Sequence, residues 1–151
     1  MKKIFTAGVL VVVGLSMATI AQAQGKPERL VKQRQAAMTL QGKYFGPLGA
    51  MANGKAPYDA KVVARNAGYL DALSHMPWDG FAPSTKDVKS AALPAAFTDT
   101  DKFKEAQDQF HGAVTKLVAA SKDGNEETVK AAIKGVAKTC GGCHKNFREK
   151  K

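Results

Sequence analysis

The 151-residue chain contains only two cysteines, Cys140 and Cys143, and they lie three positions apart. A stabilising disulfide framework is therefore excluded, because such a framework needs cysteines spread along the chain. A disulfide between these two residues would close too small a ring to stabilise a fold. The two thiols are consequently better suited to chemistry than to cross-linking.

Several other patterns are also missing from the sequence. No stretch alternates apolar and polar residues for long enough to predict a strand, and no internal repeat or low-complexity tract is present. No interleaving of aromatic and basic residues indicates nucleic-acid binding. Asp99 and Asp101 are interpreted as helix caps rather than paired catalytic carboxylates. We therefore predict neither a nucleic-acid partner nor an enzyme.

The only long apolar run lies at the N-terminus and predicts a secretory signal peptide over residues 1–23. Lys2 and Lys3 precede the run, and Ala21-Gln22-Ala23 fits the small-x-small cleavage pattern. An uncleaved membrane anchor is the alternative, but the cleavage pattern favours removal. We expect a periplasmic protein, residues 24–151, that is not inserted in the membrane after cleavage and forms one domain.

The formal charge of +10 becomes +8 once Lys2 and Lys3 are removed. A basic surface could steer an acidic redox partner protein, but the lysines are spread along the chain. The local concentration at residues 145–151 also suits the end of a helix, whose dipole favours cations. A solvated helical surface is therefore the favoured interpretation.

Helical spacing of apolar residues predicts four helices. They run from about Pro27 to Met51, from near Pro57 to Met76, from near Thr98 to Asp123, and from Asn125 toward the C-terminus. Residues 77–98 form the longest predicted loop, and its Trp78 and Phe81 should pack the loop onto the bundle or the edge of a cofactor. Short connections between the helices predict an all-α, antiparallel up-down-up-down four-helix bundle, a fold that places cofactors between facing helices.

The most informative pattern is Cys140-Gly141-Gly142-Cys143-His144. Cys-x-x-Cys-His is the attachment signature of c-type haem: each thiol can add to a vinyl group, and the histidine can ligate the iron. Spacings of three and four residues place these side chains on one helix face. One covalent haem c near one end of the bundle is therefore predicted.

Two other interpretations of this motif are weaker. A thioredoxin-type redox pair favours the start of a helix in an α/β chain, whereas this motif lies late in an all-helical pattern. A zinc site would need further ligands, and His75 and His111 are distant in sequence. These two histidines are expected on helix surfaces and not at the iron. A haem-free zinc protein or adaptor remains the outside alternative.

The bundle topology predicts what faces the motif. The start of the first helix and the finish of the last lie at the same end, and a rise of about 1.5 Å per residue puts Met38 and His144 at nearly the same level. Arg34 lies one turn from Met38 on the same face, and Arg148 lies one turn beyond His144.

The sequence resembles the cytochrome c-prime family of bacterial periplasmic haem proteins over nearly all of the mature chain. The resemblance is carried by residues 34–38, 44–46, 54–59, 77–78 and 140–148. It implies thioethers from Cys140 and Cys143, His144 as the axial iron ligand, Arg34 near a haem propionate and Arg148 near the proximal face. It also implies binding of nitric oxide and carbon monoxide, and a homodimer formed through the first two helices.

The resemblance leaves the role of Met38 open. In typical members an apolar side chain occupies the distal position and the iron is five-coordinate and high-spin, whereas low-spin relatives use a methionine there as the sixth ligand. Methionine ligation would suit an electron-transfer protein. Because methionine on an apolar stripe is more often core filling, and because Arg34 and Pro77-Trp78 resemble the high-spin branch, we favour the five-coordinate gas binder.

Overall fold

The computed structural model describes residues 26–150, so the predicted signal peptide lies outside the described residues. The helices are α1 (Pro27–Ala52), α2 (Ala60–Ser74), α3 (Ala95–Thr98), α4 (Thr100–Asp123) and α5 (Glu126–Phe147). Between α2 and α3 lie two 3₁₀ turns, Trp78–Phe81 and Pro83–Thr85. Within residues 26–150 the only β pairing is an isolated bridge between Ala92 and Arg148. The predicted all-α class is confirmed.

The boundaries of the helices follow from local chemistry. The Asp59 side chain accepts hydrogen bonds from the amides of Lys61 and Val62 at the start of α2. Asn125 likewise accepts from the Thr128 amide at the start of α5, while Gly124 ends α4 with φ of +75°. These side chains and this glycine satisfy or redirect backbone groups that a helix end leaves free.

The four long helices form the predicted bundle. Helix α1 packs against α2 and α5, and α4 packs against the same two helices. The main core between them is built from thirteen buried residues of α1, α2, α4 and α5: Leu48, Met51, Ala52, Val63, Ala67, Leu70, Phe110, Val114, Leu117, Ala120, Val129, Ile133 and Val136. Burial of these apolar faces supplies the main driving force for assembling the bundle.

A second, smaller apolar cluster lies at one end of the bundle. Ala96, Phe103 and Phe147 form its buried centre, and Trp78 and Phe81 pack against it. The rings of Phe103 and Phe147 lie 5.1 Å apart in an edge-to-face arrangement, and those of Phe81 and Phe103 lie 4.7 Å apart. This aromatic cluster joins the segment 77–98 to the end of α5.

Two local predictions were wrong. Residues 77–98 are not a plain loop, because the 3₁₀ turns and α3 fold part of the segment into the second apolar cluster. Asp99 precedes α4, yet its side chain caps no amide and instead pairs with Lys102 at 2.8 Å. His111 lies on α4, although it is half-buried and hydrogen-bonded there. Each outcome depends on a neighbour that helical periodicity does not identify.

Among residues 26–150 no helix is both long enough and apolar enough to cross a membrane.

Candidate functional site: a cleft between α1 and the end of α5

The residues of the Cys140–His144 motif lie on the last turns of α5. Cys140 packs against the main core, whereas Cys143 packs against the second apolar cluster. Both thiols are free and half-buried. The motif therefore spans the junction of the two clusters, and His144 follows it at the exposed edge.

A cleft of about 450 Å³ opens between this end of α5 and α1. This volume lies in the range of about 300–1,000 Å³ that is common for small-molecule and cofactor sites. Cys143, His144 and Arg148 contribute to its lining from the C-terminal side, and Arg34 and Met38 contribute from α1. Cys140 does not line the cleft. The remaining lining residues are Gln35, Thr39, Trp78, Phe81, Ser90, Ala91, Ala92, Phe103 and Phe147.

One part of the cleft lining is held by backbone pairing. The Leu93 amide donates to the Phe147 carbonyl and the Glu149 amide donates to the Ala91 carbonyl, both at 2.9 Å. These bonds attach the segment before α3 to the C-terminal end of α5. Ser90, Ala91 and Ala92 are thereby held beside Arg148.

Arg34 is the most constrained charged residue of the cleft. Its side chain is buried, and its guanidinium donates to the Gly80 carbonyl, to Thr85 Oγ1 at 3.4 Å and to Ser90 Oγ at 2.7 Å. The guanidinium carbon also lies 4.4 Å from the centre of the Phe81 ring, which permits a cation–π interaction. Arg34 therefore organises the whole segment from Gly80 to Ser90.

The charge of Arg34 has no acidic partner within residues 26–150. The ion pairs there involve only Lys102, Lys104 and Lys130 as cations. Burial lowers the pKa of Arg34, because water that would solvate the cation is excluded. An anionic group bound in the cleft would thus find a buried cation available for pairing.

Burial also controls the reactivity of the two thiols. It raises the pKa of Cys140 to about 11, with a smaller contribution from the neighbouring Cys143, and it raises the pKa of Cys143. Thiolates are the form that attacks disulfides and binds metals, so both thiols stay in the less reactive protonated form near neutral pH. Within residues 26–150 no group of three or more metal-ligating side chains is present. These findings disfavour a thioredoxin-type pair and a zinc site.

The His144 imidazole is held in its neutral form. Burial is the main cause of its lowered pKa, and the positive charge of Arg148 contributes further. Neutral imidazole is the form that ligates iron. Two free cysteines and a neutral histidine beside a cofactor-sized cleft are therefore compatible with a covalently attached haem.

Sequence reasoning missed several residues that shape the cleft. Gly80, Thr85 and Ser90 hold Arg34, although they lie 46 to 56 positions away in the chain. A Cβ on Gly80 would lie 2.5 Å from Arg34 Cβ and 2.8 Å from the Leu30 carbonyl oxygen. Glycine is thus required where the segment crosses α1. The only sequence signal was the density of proline and glycine in residues 77–98.

The fold and the site together define a helical-bundle protein of the c-type haem class. The chain belongs to the cytochrome c′ family, whose model matches residues 29–148. It is 44% identical over 126 residues to cytochrome c′ of Rubrivivax gelatinosus, covering 83% of this chain and 98% of that protein. The crystal structure of cytochrome c′ from Rubrivivax gelatinosus matches the fold of this chain with a TM-score of 0.79 and 43% sequence identity. The match covers 82% of this chain and 98% of that one.

A structure of cytochrome c prime from Alcaligenes xylosoxidans also matches, with a TM-score of 0.78 and 38% identity over 84% of this chain and 98% of that one. That structure is a nitric oxide complex of a variant. The predicted family and the four-helix fold are confirmed by these comparisons. Family membership also identifies haem c as the cofactor, and the Cys140–His144 motif is consistent with covalent attachment.

Proposed function

We propose that this protein is a periplasmic haem protein that binds nitric oxide and carbon monoxide at five-coordinate, high-spin iron and can also transfer one electron. The observation that carries the proposal is the cleft, to which Cys143 and His144 contribute from α5 and Met38 from α1. The nitric oxide complex of the Alcaligenes xylosoxidans relative supports the choice of ligand.

Each residue has a separate task in this proposal. Haem c, when bound, supplies an iron that can take a diatomic ligand and change its charge by one electron. Cys140 and Cys143 would hold the group through thioethers, and His144 would supply a nitrogen ligand to the iron. Arg34 pairs with a propionate carboxylate, which would compensate its buried charge. Arg148 would lie near the proximal face, and its charge adds to the larger effect of burial in lowering the pKa of His144.

Met38 covers the opposite face of the cleft. Its side chain is half-buried and carries no positive or negative charge, so it excludes water from that face without supplying a polar contact. A small gas molecule could still enter, because this flexible side chain can move aside. The proposed selectivity for small uncharged ligands follows from that apolar cover.

The second candidate function is electron transfer with His144 and Met38 as the two axial ligands. It is favoured by the same observation, that Met38 and His144 line one cleft. Thioether ligation would raise the reduction potential and occupy the position that a gas needs. Neither function requires acid–base chemistry, and we do not propose catalytic turnover.

Optical spectra of the purified haem protein separate the two functions. We expect high-spin spectra in the oxidised and reduced forms, and a large change when carbon monoxide is added to the reduced form. A low-spin reduced spectrum that carbon monoxide leaves unchanged would contradict the gas-binding proposal and establish methionine ligation. Absence of a covalently bound haem from the protein's mass would contradict both functions.

Residues 1–23 are proposed to direct export to the periplasm and to be removed afterwards. N-terminal sequencing of protein exported by a bacterial host should therefore begin near Gln24. Retention of Lys2 and Lys3 in the exported protein would show that the segment is not cleaved.

A homodimer through α1 and α2 is proposed as the assembly. Leu40 and Tyr69 are 39% and 45% exposed, and the Tyr69 ring lies 4.7 Å from the ring of half-buried Tyr44 on the neighbouring helix. Exposed apolar side chains that touch across two helices are typical of an association surface.

Replacing Tyr69 by glutamate places a charge in this surface. Sedimentation analysis should show a dimer for the unmodified protein and at least about a tenfold weaker association for Tyr69→Glu, which corresponds to about 1.4 kcal/mol. Ala119→Glu, an exposed change on α4, is the control and should leave the dimer intact. A monomer before mutation, or equal effects of the two variants, would contradict the proposed interface.

A further inference from the structure

Two histidines that do not line the cleft meet beside Trp78. His75 follows the last residue of α2 and is exposed, whereas His111 lies on α4 and is half-buried. Their ring centroids are 4.6 Å apart, with 34° between the ring planes. Neither residue has a task in the haem cleft, so the pair needs an explanation of its own.

The hydrogen bonds around His111 determine which of its ring nitrogens carries a proton. Its Nε2 lies 2.9 Å from the Ser74 carbonyl oxygen, and Trp78 Nε1 lies 2.7 Å from the same oxygen. A carbonyl oxygen can accept two hydrogen bonds, so the consistent assignment has both N–H groups donating to Ser74. Trp78 Nε1 also lies 3.0 Å from His111 Nε2, and in the other tautomer it would donate to that nitrogen. That tautomer would leave the Ser74 carbonyl oxygen facing an unprotonated Nε2 at 2.9 Å, so the tautomer with the proton on Nε2 is favoured.

The consequence is that Nδ1 of neutral His111 keeps a free lone pair. Histidines that ligate metals almost always donate their other ring N–H to a carbonyl or carboxylate, which orients the ring and increases the basicity of the ligand nitrogen. His111 already has this partner in Ser74. His75 is exposed, so its ring can turn to bring a nitrogen toward the same ion at little cost.

We propose that His75 and His111 form a surface site for a transition-metal dication, with Cu²⁺ the most strongly bound. Imidazole nitrogen suits copper, nickel and zinc, and affinity for such ligands reaches its maximum at Cu²⁺ in the divalent series. No third histidine, cysteine, aspartate or glutamate joins the pair within residues 26–150. Water or a ligand from solution therefore completes the coordination, and Ca²⁺ and Mg²⁺, which require several oxygen ligands, are not retained.

The site is independent of the proposed gas binding, but it shares one side chain with the cleft. Trp78 donates to the carbonyl that orients His111, and its ring also lines the cleft. An ion held by both histidines would tie the end of α2 to α4. Because such an ion binds the folded protein alone, it should also raise the Tm.

Calorimetric titration of the haem-loaded protein with Cu²⁺, in a buffer that does not chelate metals, tests this proposal. We expect one equivalent to bind, Zn²⁺ to bind more weakly, and Ca²⁺ and Mg²⁺ not to bind. His75→Ala should lower the Cu²⁺ affinity at least about tenfold, since even loss of an outer partner of a ligand costs about 10–100-fold. Electron paramagnetic resonance of the bound Cu²⁺ should show coupling to two imidazole nitrogens.

Variants separate this site from other copper-binding groups. His111→Gln should lose affinity as His75→Ala does, and the double variant should be little weaker than either single one, because both ligands belong to one site. Gln109→Ala, an exposed change on α4, should bind Cu²⁺ as the unmodified protein does. If His75→Ala still binds Cu²⁺ with unchanged affinity, the ion is held elsewhere, for example at the chain terminus or at the haem carboxylates, and the proposal is overturned.

Discussion

Replacing Met38 by alanine should increase the carbon monoxide affinity of the reduced protein at least about tenfold, equivalent to about 1.4 kcal/mol. The side chain lines the cleft from α1. In the proposal it covers the face of the haem opposite His144, so a gas binding there would have to displace it. Alanine removes that obstacle. The spectrum of the resting protein should stay high-spin, because the proposal gives the methionine sulfur no bond to iron. Gas titrations and optical spectra measure both effects.

Met38→Leu is the matched control for this result. Leucine retains most of the volume of methionine but has no sulfur, so it blocks the cleft without being able to ligate. We expect its gas affinity and spectrum to remain close to those of the unmodified protein. The electron-transfer alternative predicts a different result. In that case the unmodified protein has a low-spin spectrum, and both variants lose it and show a lower reduction potential, because thioether ligation raises the potential.

Replacing Gly80 by alanine should destabilise the protein by about 1–3 kcal/mol, the usual cost of forcing extra atoms into a packed site. The new Cβ would lie 2.5 Å from Arg34 Cβ and 2.8 Å from the Leu30 carbonyl oxygen, so the segment must move away from α1. That movement would separate the Gly80 carbonyl and Thr85 Oγ1 from the Arg34 guanidinium. Thermal and denaturant unfolding measure the loss.

The same chain provides a glycine for comparison. A Cβ on Gly112, an exposed residue within α4, would meet no atom within 4 Å. Gly112→Ala should therefore stabilise the protein by up to about 1 kcal/mol, through helix propensity alone. Opposite signs for the two Gly→Ala changes are expected. Equal effects would show that the crossing of residues 77–98 over α1 does not depend on glycine.

The helices were predictable because their determinants are local. Apolar spacing identified the buried faces, and Asn125 marked the start of α5 through a side chain that accepts a hydrogen bond from the amide three residues ahead. Asp99 shows where this reasoning fails. It stands in the cap position of α4, but its carboxylate pairs with Lys102 instead of a backbone amide. The sequence pattern cannot show which of these two interactions is the stronger.

The cleft was predictable only in part. Helical rise placed Met38 and His144 at one level, and both residues do line the cleft. The environment of Arg34 was not predicted, since its partners come from a segment 46 to 56 residues further along the chain. The meeting of His75 and His111 was equally hidden, because it depends on how α2 packs against α4.

The sequence by itself determined the class of cofactor, the helical class and the residues proposed to attach the haem, because a five-residue motif and helical periodicity are properties of neighbours along the chain. Only the tertiary structure decided that the thiols are half-buried with raised pKa values, and that Arg34 is held by residues 80–90 with no acidic partner among residues 26–150. Burial and long-range contacts exist only once the helices have packed. The role of Met38 as a cover or as a ligand therefore depends on the packed cleft rather than on the motif.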